Sequence, residues 1–181
     1  MDITTGIPKP PFLMIAPDSR AGAMVDVGVA TTPDIYSQHW NPAKFAFIDG
    51  KAGVGISYSP WLRNLVPDIN IAYLTGFYRI DNKQVASASL LYSSLGVVPF
   101  TNEFGDHERD FKPNELGFDL GYSRIFADNF SGGIAFRFSY SNLTGGSSSG
   151  SEATRPGISF AADISGYYTK EDTMFSKDWE L

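Results

Sequence analysis

The side chains that most often perform chemistry in proteins are scarce in this chain. It has no cysteine and two histidines, His39 and His107. Without cysteine it can form no disulfide, no thiolate nucleophile and no zinc site with sulfur ligands. Two imidazoles also cannot supply a site that needs three histidine ligands. We therefore predict no metal site and no cofactor.

His107 lies in a segment, residues 97–114, that is rich in carboxylates. The acidic residues of this segment are Glu103, Asp106, Glu108 and Asp110. An imidazole, a carboxylate and a serine could together form the active site of a hydrolase. A hydrolase that modifies lipopolysaccharide is therefore one alternative function that we consider. However, no nucleophile-elbow motif fixes such a serine, and the acidic spacing is not that of a calcium loop. We predict no catalytic residue and interpret the segment as a solvated charged loop.

A second chemically distinctive segment, residues 60–67, is apolar for a connection between strands. Its sequence includes the residues Trp61, Leu62, Arg63 and Leu65. Exposed apolar segments often mark partner-binding surfaces, and tryptophan with arginine is a typical composition for a binding anchor. We predict that these four residues bind a partner, with an extension of a membrane-interface aromatic belt as the alternative.

The overall charge excludes one large class of partner. The 181 residues contain 14 Lys+Arg and 20 Asp+Glu, which gives a formal net charge of -6. An acidic chain without clusters of Lys or Arg offers no surface that could follow a phosphate backbone. We predict no nucleic-acid partner.

From residue 51 onward, large apolar side chains alternate with small or polar ones, as in half-buried β-strands. Residues 115–126 are the clearest example, because Leu116, Phe118 and Leu120 alternate with Gly117, Asp119 and Gly121. The predicted strands are 51–59, 68–79, 84–95, 115–126, 130–141 and 157–168. We place Ile69, Ile71, Tyr73 and Phe77 on the apolar face of the second strand. The fold class predicted is all-β.

The connections favour a transmembrane antiparallel barrel. Short turns at 80–83 and 127–129 alternate with longer connections, as in outer-membrane barrels. Each strand has the length needed to cross a bilayer at a tilt. The seven lysines lie in the amino-terminal region, in loops or turns, or at a strand start. We expect the apolar faces to contact lipid, and six strands to be the first part of a larger barrel, since an open sheet would leave unpaired edges in lipid.

Three charged residues fall on the face that we assign to the barrel lumen. Asp119, Arg137 and Asp163 occupy such positions on consecutive predicted strands. Buried charges need partners, so we predict ion pairs among these residues or with the amino-terminal arm, where Arg20 is a candidate. The alternative is that they line a conduction path.

Residues 1–50 lack the alternation and precede the first strand. Within them, residues 19–30 are rich in small side chains, and residues 39–43 read His39-Trp40-Asn41-Pro42-Ala43. These two segments resemble the amino-terminal hatch of FadL-type outer-membrane proteins. Residues 16–24, 34–43 and 157–168 are similar, more narrowly, to the PorV (LptO) family of FadL-like barrels. Val25 stands where we would expect glycine in that family.

The resemblance implies a barrel of fourteen strands. Residues 1–50 would be the hatch, with Asn41, Pro42 and Ala43 as its motif, and residues 51–181 the first part of the barrel. It also implies a multi-pass β-barrel in the outer membrane of Bacteroidota, in contact with lipid and lipopolysaccharide.

The function implied is non-enzymatic transport of proteins in the type IX secretion system. Proteins of this family associate with an SprA-like translocon, receive cargo that bears carboxy-terminal signal domains, and pass it to subunits of the attachment complex. The first alternative is a FadL-type transporter of fatty acids or other small hydrophobic molecules.

Overall fold

The computed structural model describes residues 11–60, 68–101, 104–143 and 155–170. Its strands are β1 (Ala52–Pro60), β2 (Ile69–Asp81), β3 (Gln84–Leu95), β4 (Val98–Thr101), β5 (His107–Phe111), β6 (Asn114–Ala127), β7 (Phe130–Asn142) and β8 (Gly157–Tyr168). The helices are short: the 3₁₀ helix η1 (Pro11–Met14), α1 (Ser19–Ala23), α2 (Ser37–Trp40) and the 3₁₀ helix η2 (Pro42–Phe47). The predicted all-β class is confirmed.

Six of the strands form one antiparallel sheet in the order β1-β2-β3-β6-β7-β8. Each of these six strands pairs with the next one along the chain, because tight turns or local loops join them. The sheet is open, with β1 and β8 at its two edges. Closure into a barrel therefore stays a prediction.

Residues 97–114 differ from the prediction of an irregular charged loop. They contain β4 and β5, which pair as a separate antiparallel hairpin between β3 and β6. Phe100 and Phe111 pack on this hairpin with ring centroids 6.2 Å apart, and the Arg109 guanidinium lies 4.9 Å from the Phe100 ring centroid. The strands have only four and five residues, so their alternation is too short to recognise in the sequence.

Residues 11–50, called the arm below, cover one face of the six-stranded sheet. Phe12 and Leu13 pack with Ile71, Tyr73 and Leu91 in one buried cluster. A second cluster joins residues of η2 and its flank to the sheet, and consists of Phe45, Phe77 and Val85 with Ile35 and Ile48 against them. Burial of each large apolar side chain contributes about 1.5–3 kcal/mol, so these clusters supply most of the driving force for docking the arm.

The orientation of β2 corrects one expectation. Ile71, Tyr73 and Phe77 point towards the arm and are 3%, 2% and 7% exposed, whereas we had placed them on the apolar outer face. The arm carries its own apolar side chains to this part of the sheet, and they need apolar partners there. Leu74 and Tyr78, on the opposite face of β2, are exposed instead.

Candidate functional site at the arm-covered face

A row of polar side chains crosses the covered face of the sheet. The strand register aligns Thr75 with Ser89, Ser89 with Asp119, and Asp119 with Arg137. All four side chains point towards the arm, because residues aligned across neighbouring strands project from the same face of the sheet. The sheet therefore places a charged pair beneath the arm.

Asp119 and Arg137 form a two-point ion pair. Arg137 Nε donates to Asp119 Oδ1 at 2.7 Å, and Arg137 Nη2 donates to Asp119 Oδ2 at 3.1 Å. Their side chains are only 7% and 12% exposed. Asp163 Oδ2 lies 3.9 Å from Arg137 Nη1, and its side chain is 42% exposed. Asp119 is thus the main partner of Arg137, and Asp163 adds a longer contact from β8.

Arg20 belongs to a different pair, inside the arm. Its Nη1 donates to Asp34 Oδ2 at 2.7 Å, and its Nη2 donates to the Thr32 hydroxyl at 2.7 Å. Asp34 also accepts from the Ser37 hydroxyl, just before α2. Arg20 therefore ties α1 to the start of α2, and the sheet carboxylates take Arg137 as their cation.

The Asn41-Pro42-Ala43 turn is the point where the arm is fixed to the far side of the sheet. Asn41 is the N-cap of η2, and its Oδ1 accepts from Ala43 N at 3.1 Å. Its Nδ2 donates to the carbonyl of Val29 at 3.2 Å and to the carbonyl of Gly166 on β8 at 3.1 Å. One side chain thus links two segments of the arm to a sheet strand.

The sheet is shaped to receive this turn. The Ser131 hydroxyl donates to the carbonyl of Ala43 at 2.7 Å, and Ala43 N donates to the Ser165 hydroxyl at 3.3 Å. A Cβ added at Gly133 would stand 2.8 Å from Ala43 N. Backbone atoms of η2 cannot move aside as a flexible side chain can, so glycine is needed at position 133 for this approach.

Helix α2 contacts the sheet through Gln38, whose hydrogen bonding is incomplete. Gln38 Oε1 accepts from the Ser87 hydroxyl at 2.5 Å. Gln38 is 1% exposed, and its Nε2 has no hydrogen-bond partner among the described residues. A buried unpaired donor costs about 1–3 kcal/mol, so α2 is held less strongly than the Asn41 turn.

His39 and Lys44 are the titratable side chains of the arm that burial affects most. The His39 ring packs edge-on against Trp40 and Tyr73, at centroid distances of 4.8 Å and 6.1 Å. Burial, with a smaller effect of Arg137, lowers the pKa of His39 to about 4. Burial also lowers the pKa of Lys44, whose Nζ donates to the carbonyl of Gly28 at 2.9 Å and to the Thr31 hydroxyl at 3.0 Å. Lys44 therefore connects η2 to the preceding loop.

The opposite face of the sheet, called the uncovered face below, is apolar. Ile164, Phe160 and Val54 are 90%, 75% and 75% exposed. Other large apolar residues exposed on this face are Ile56, Leu74, Leu120, Ile134, Phe136 and Ile158. Contiguous apolar surface of this extent is rare on monomeric water-soluble proteins.

Comparison with known protein families shows which family the chain belongs to. The family model described as "Type IX secretion system protein PorV" matches residues 1–180. The chain belongs to the PorV family. Its role therefore lies in type IX protein secretion. No curated protein matches the chain.

The structure of this PorV-family chain does not cover all of the predicted site residues. Trp61, Leu62, Arg63 and Leu65 fall outside the described residues. His107 Nε2 lies 2.8 Å from Asp110 Oδ1 on β5, with both side chains more than half exposed. Among the described residues, no three His, Asp or Glu side chains are arranged to hold a metal ion. No helix in that part of the chain is long and apolar enough to span a membrane.

Three residues that hold the arm in place, Gln38, Lys44 and Ser131, are not among the predicted site residues. The arm has no regular period, so nothing in the sequence indicates which of its polar side chains face the sheet. A signal existed for Ser131 and Ser165, which lie on the small-residue faces of two predicted strands.

Proposed function

We propose that this PorV-family chain forms the plug and the first strands of an outer-membrane β-barrel, and that it carries secreted proteins in type IX secretion. It binds an SprA-like translocon, receives cargo through its carboxy-terminal signal domain, and passes the cargo to the attachment complex. The observation that supports this proposal best is the division of the sheet into two faces. The uncovered face is apolar, and the other face, which carries the polar row beside two apolar clusters, is filled by the arm.

The uncovered face has the properties of a lipid-contacting surface. Exposure of Phe136, Phe160 and Ile164 to water costs about 1.5–3 kcal/mol per side chain relative to burial. Hydrocarbon removes that cost. The ends of β6, β7 and β8 carry Phe126, Phe130 and Tyr168, as expected for an aromatic girdle at a membrane interface.

The covered face suits the interior of a plugged barrel. A dry barrel wall lined with serine, glycine and an Asp119–Arg137 pair needs partners for its polar groups. The arm supplies them at Ser87, Ser131 and Ser165. We infer that the arm is a plug and that the protein does not act as an open pore.

Protein transport is favoured over transport of small hydrophobic molecules. A FadL-type transporter needs an apolar pocket inside the barrel. Among the described residues, an apolar surface depression of about 510 Å³ lies between Val54, Leu74 and Phe118 of the uncovered face. On the covered face, the arm itself fills the apolar positions of β2 and β3, and the polar row lies beside them.

Co-purification tests the proposal. The full-length protein, tagged and extracted from outer membranes, is expected to retain a very large translocon and a carboxy-terminal signal domain. The double variant Trp61→Ala, Leu62→Ala is expected to lose at least one of them. The control Lys83→Ala changes a turn on the opposite rim and is expected to retain both. Recovery of neither partner by the unmodified protein would contradict the proposal and favour the small-molecule transporter.

A further inference from the structure

Arg124 is an isolated charge on the uncovered face. It is exposed and lies near the end of β6, at the rim where short turns join the strands. Among the outward-facing positions of β6, β7 and β8, Arg124 is the one charged residue. No carboxylate of a described residue forms an ion pair with it. A guanidinium that has no ion-pair partner among the described residues, on an apolar face, suits an anionic ligand.

The neighbouring strands leave a trough beside Arg124. The register aligns Arg124 with Gly132, and Gly132 with Gly166. The Phe126 ring covers Gly132, and the Phe130 ring covers Gly166. Ile134 and Ile164 form one wall of the trough. The Phe126 ring, whose Cε2 atom would be 2.7 Å from a Cβ at Gly132, forms the other. The trough has a volume of about 340 Å³.

The position of Arg124 along the strand matches a membrane interface. It lies three positions before Ala127, the last residue of β6. With a rise of about 3.3 Å per residue and a tilt of about 40°, Arg124 lies roughly 7–8 Å inside the rim. Phe126 and Phe130, with ring centroids 6.3 Å apart, mark the girdle next to it. A guanidinium at this depth reaches the phosphates of the nearer leaflet.

We propose that Arg124 and the glycine trough bind one glycerophospholipid of the leaflet at the short-turn rim. Its phosphate pairs with the Arg124 guanidinium, which can donate two parallel hydrogen bonds to phosphate oxygens. One acyl chain lies in the trough, between Phe126 on one side and Ile134 and Ile164 on the other. The inference rests on the proposed membrane location, because the site requires the uncovered face to contact lipid.

Native mass spectrometry of the full-length protein tests the site. The protein is released from vesicles of phosphatidylglycerol and phosphatidylcholine, or from vesicles in which dioleoylglycerol replaces the phosphatidylglycerol. The unmodified protein is expected to retain one phosphatidylglycerol. Arg124→Gln is expected to reduce that retention at least about tenfold, the usual worth of a charge-assisted hydrogen bond. Retention of dioleoylglycerol in its place would contradict recognition of the phosphate.

Two further variants separate the site from general effects. Gly132→Leu places a side chain against the Phe126 ring and pushes that ring into the trough, so the lipid is expected to be lost although Arg124 is intact. The milder Gly132→Ala is expected to give a partial loss and replaces the leucine variant if that variant does not fold. Lys83→Gln removes a charge from a turn at the same rim and is expected to retain the lipid. Equal retention by Arg124→Gln and the unmodified protein would overturn the site. If neither the unmodified protein nor any variant retains lipid or inserts into vesicles, the proposed membrane location is contradicted as well.

Discussion

Replacing Asn41 with alanine tests whether one side chain holds the arm on the sheet. Asn41 is 4% exposed and makes three hydrogen bonds, to the Val29 carbonyl, the Gly166 carbonyl and Ala43 N, at 3.1–3.2 Å. Only the bond to Gly166 joins the arm to the sheet, but the helices of the arm have four to six residues and are too short to stay folded after release, so all three bonds are then lost. Each such bond contributes about 0.5–1.5 kcal/mol, so Asn41→Ala should weaken docking of the arm by about 3 kcal/mol. That energy corresponds to roughly a 100-fold increase in the fraction of molecules with the arm released.

Thiol labelling can measure that fraction, since the chain has no cysteine of its own. Ala46 in η2 is 1% exposed, so Ala46→Cys provides a reporter that reacts only when the arm opens. Asn41→Ala is expected to accelerate labelling of this cysteine about 100-fold. Asn41→Asp keeps the acceptor for Ala43 N but loses the donated hydrogen bonds to Val29 and Gly166. Its labelling rate should lie between those of the Ala46→Cys protein with Asn41 and with Asn41→Ala.

The control for this experiment is Asn82→Ala, which changes an exposed turn between β2 and β3. It is expected to leave the labelling rate within about twofold, the typical scatter of a surface substitution. An acceleration of less than about threefold by Asn41→Ala would refute the reasoning, because the arm would then be held without the three hydrogen bonds.

Three further predictions concern stability, measured by urea unfolding in detergent micelles. Arg137→Met should destabilise by about 3–5 kcal/mol because it leaves Asp119 buried without its partner, and Asp119→Leu in the same chain should restore part of the loss; a cost below about 1 kcal/mol would contradict a buried pair. His39 has a folded pKa of about 4 against 6.5 unfolded, so the unfolded state binds more protons between these values. Stability should fall by about 2 kcal/mol from pH 7.5 to pH 5, and His39→Gln should remove that part of the pH dependence; an unchanged dependence would show that His39 is not its source. Val25 has a φ of 59° and is 87% exposed, so Val25→Gly should stabilise by about 1 kcal/mol by relieving the left-handed backbone; destabilisation would contradict that strain.

The alternation of the sequence predicted the strands because side-chain direction in a sheet is a local property. The predicted range 84–95 coincides with β3, and the other five lie within two residues of the observed strands. The orientation of β2 could not be predicted in this way. Its apolar face is chosen by Phe12, Phe45 and Ile35, which are distant in sequence and belong to the arm.

The candidate site was only partly readable from the sequence for the same reason. Asp119 and Arg137 lie on strands joined by a tight turn of two residues, so their register follows from the turn. The partner of Arg20, by contrast, is Asp34 in the irregular arm. The φ of Val25 gives a physical meaning to the glycine expected at that position, since glycine adopts left-handed conformations without a steric penalty.

Alternate exposure of β7 to lipid tests the central claim most directly. Single cysteines at Ile134, Phe136, Phe138, Ala135 and Ser139 would carry a nitroxide label in the full-length protein in vesicles. We expect Ile134, Phe136 and Phe138 to be accessible to oxygen dissolved in lipid and protected from a water-soluble nickel complex, with Ala135 and Ser139 protected from lipid oxygen. Accessibility of Phe136 to the nickel complex, or loss of the two-residue period, would contradict the account.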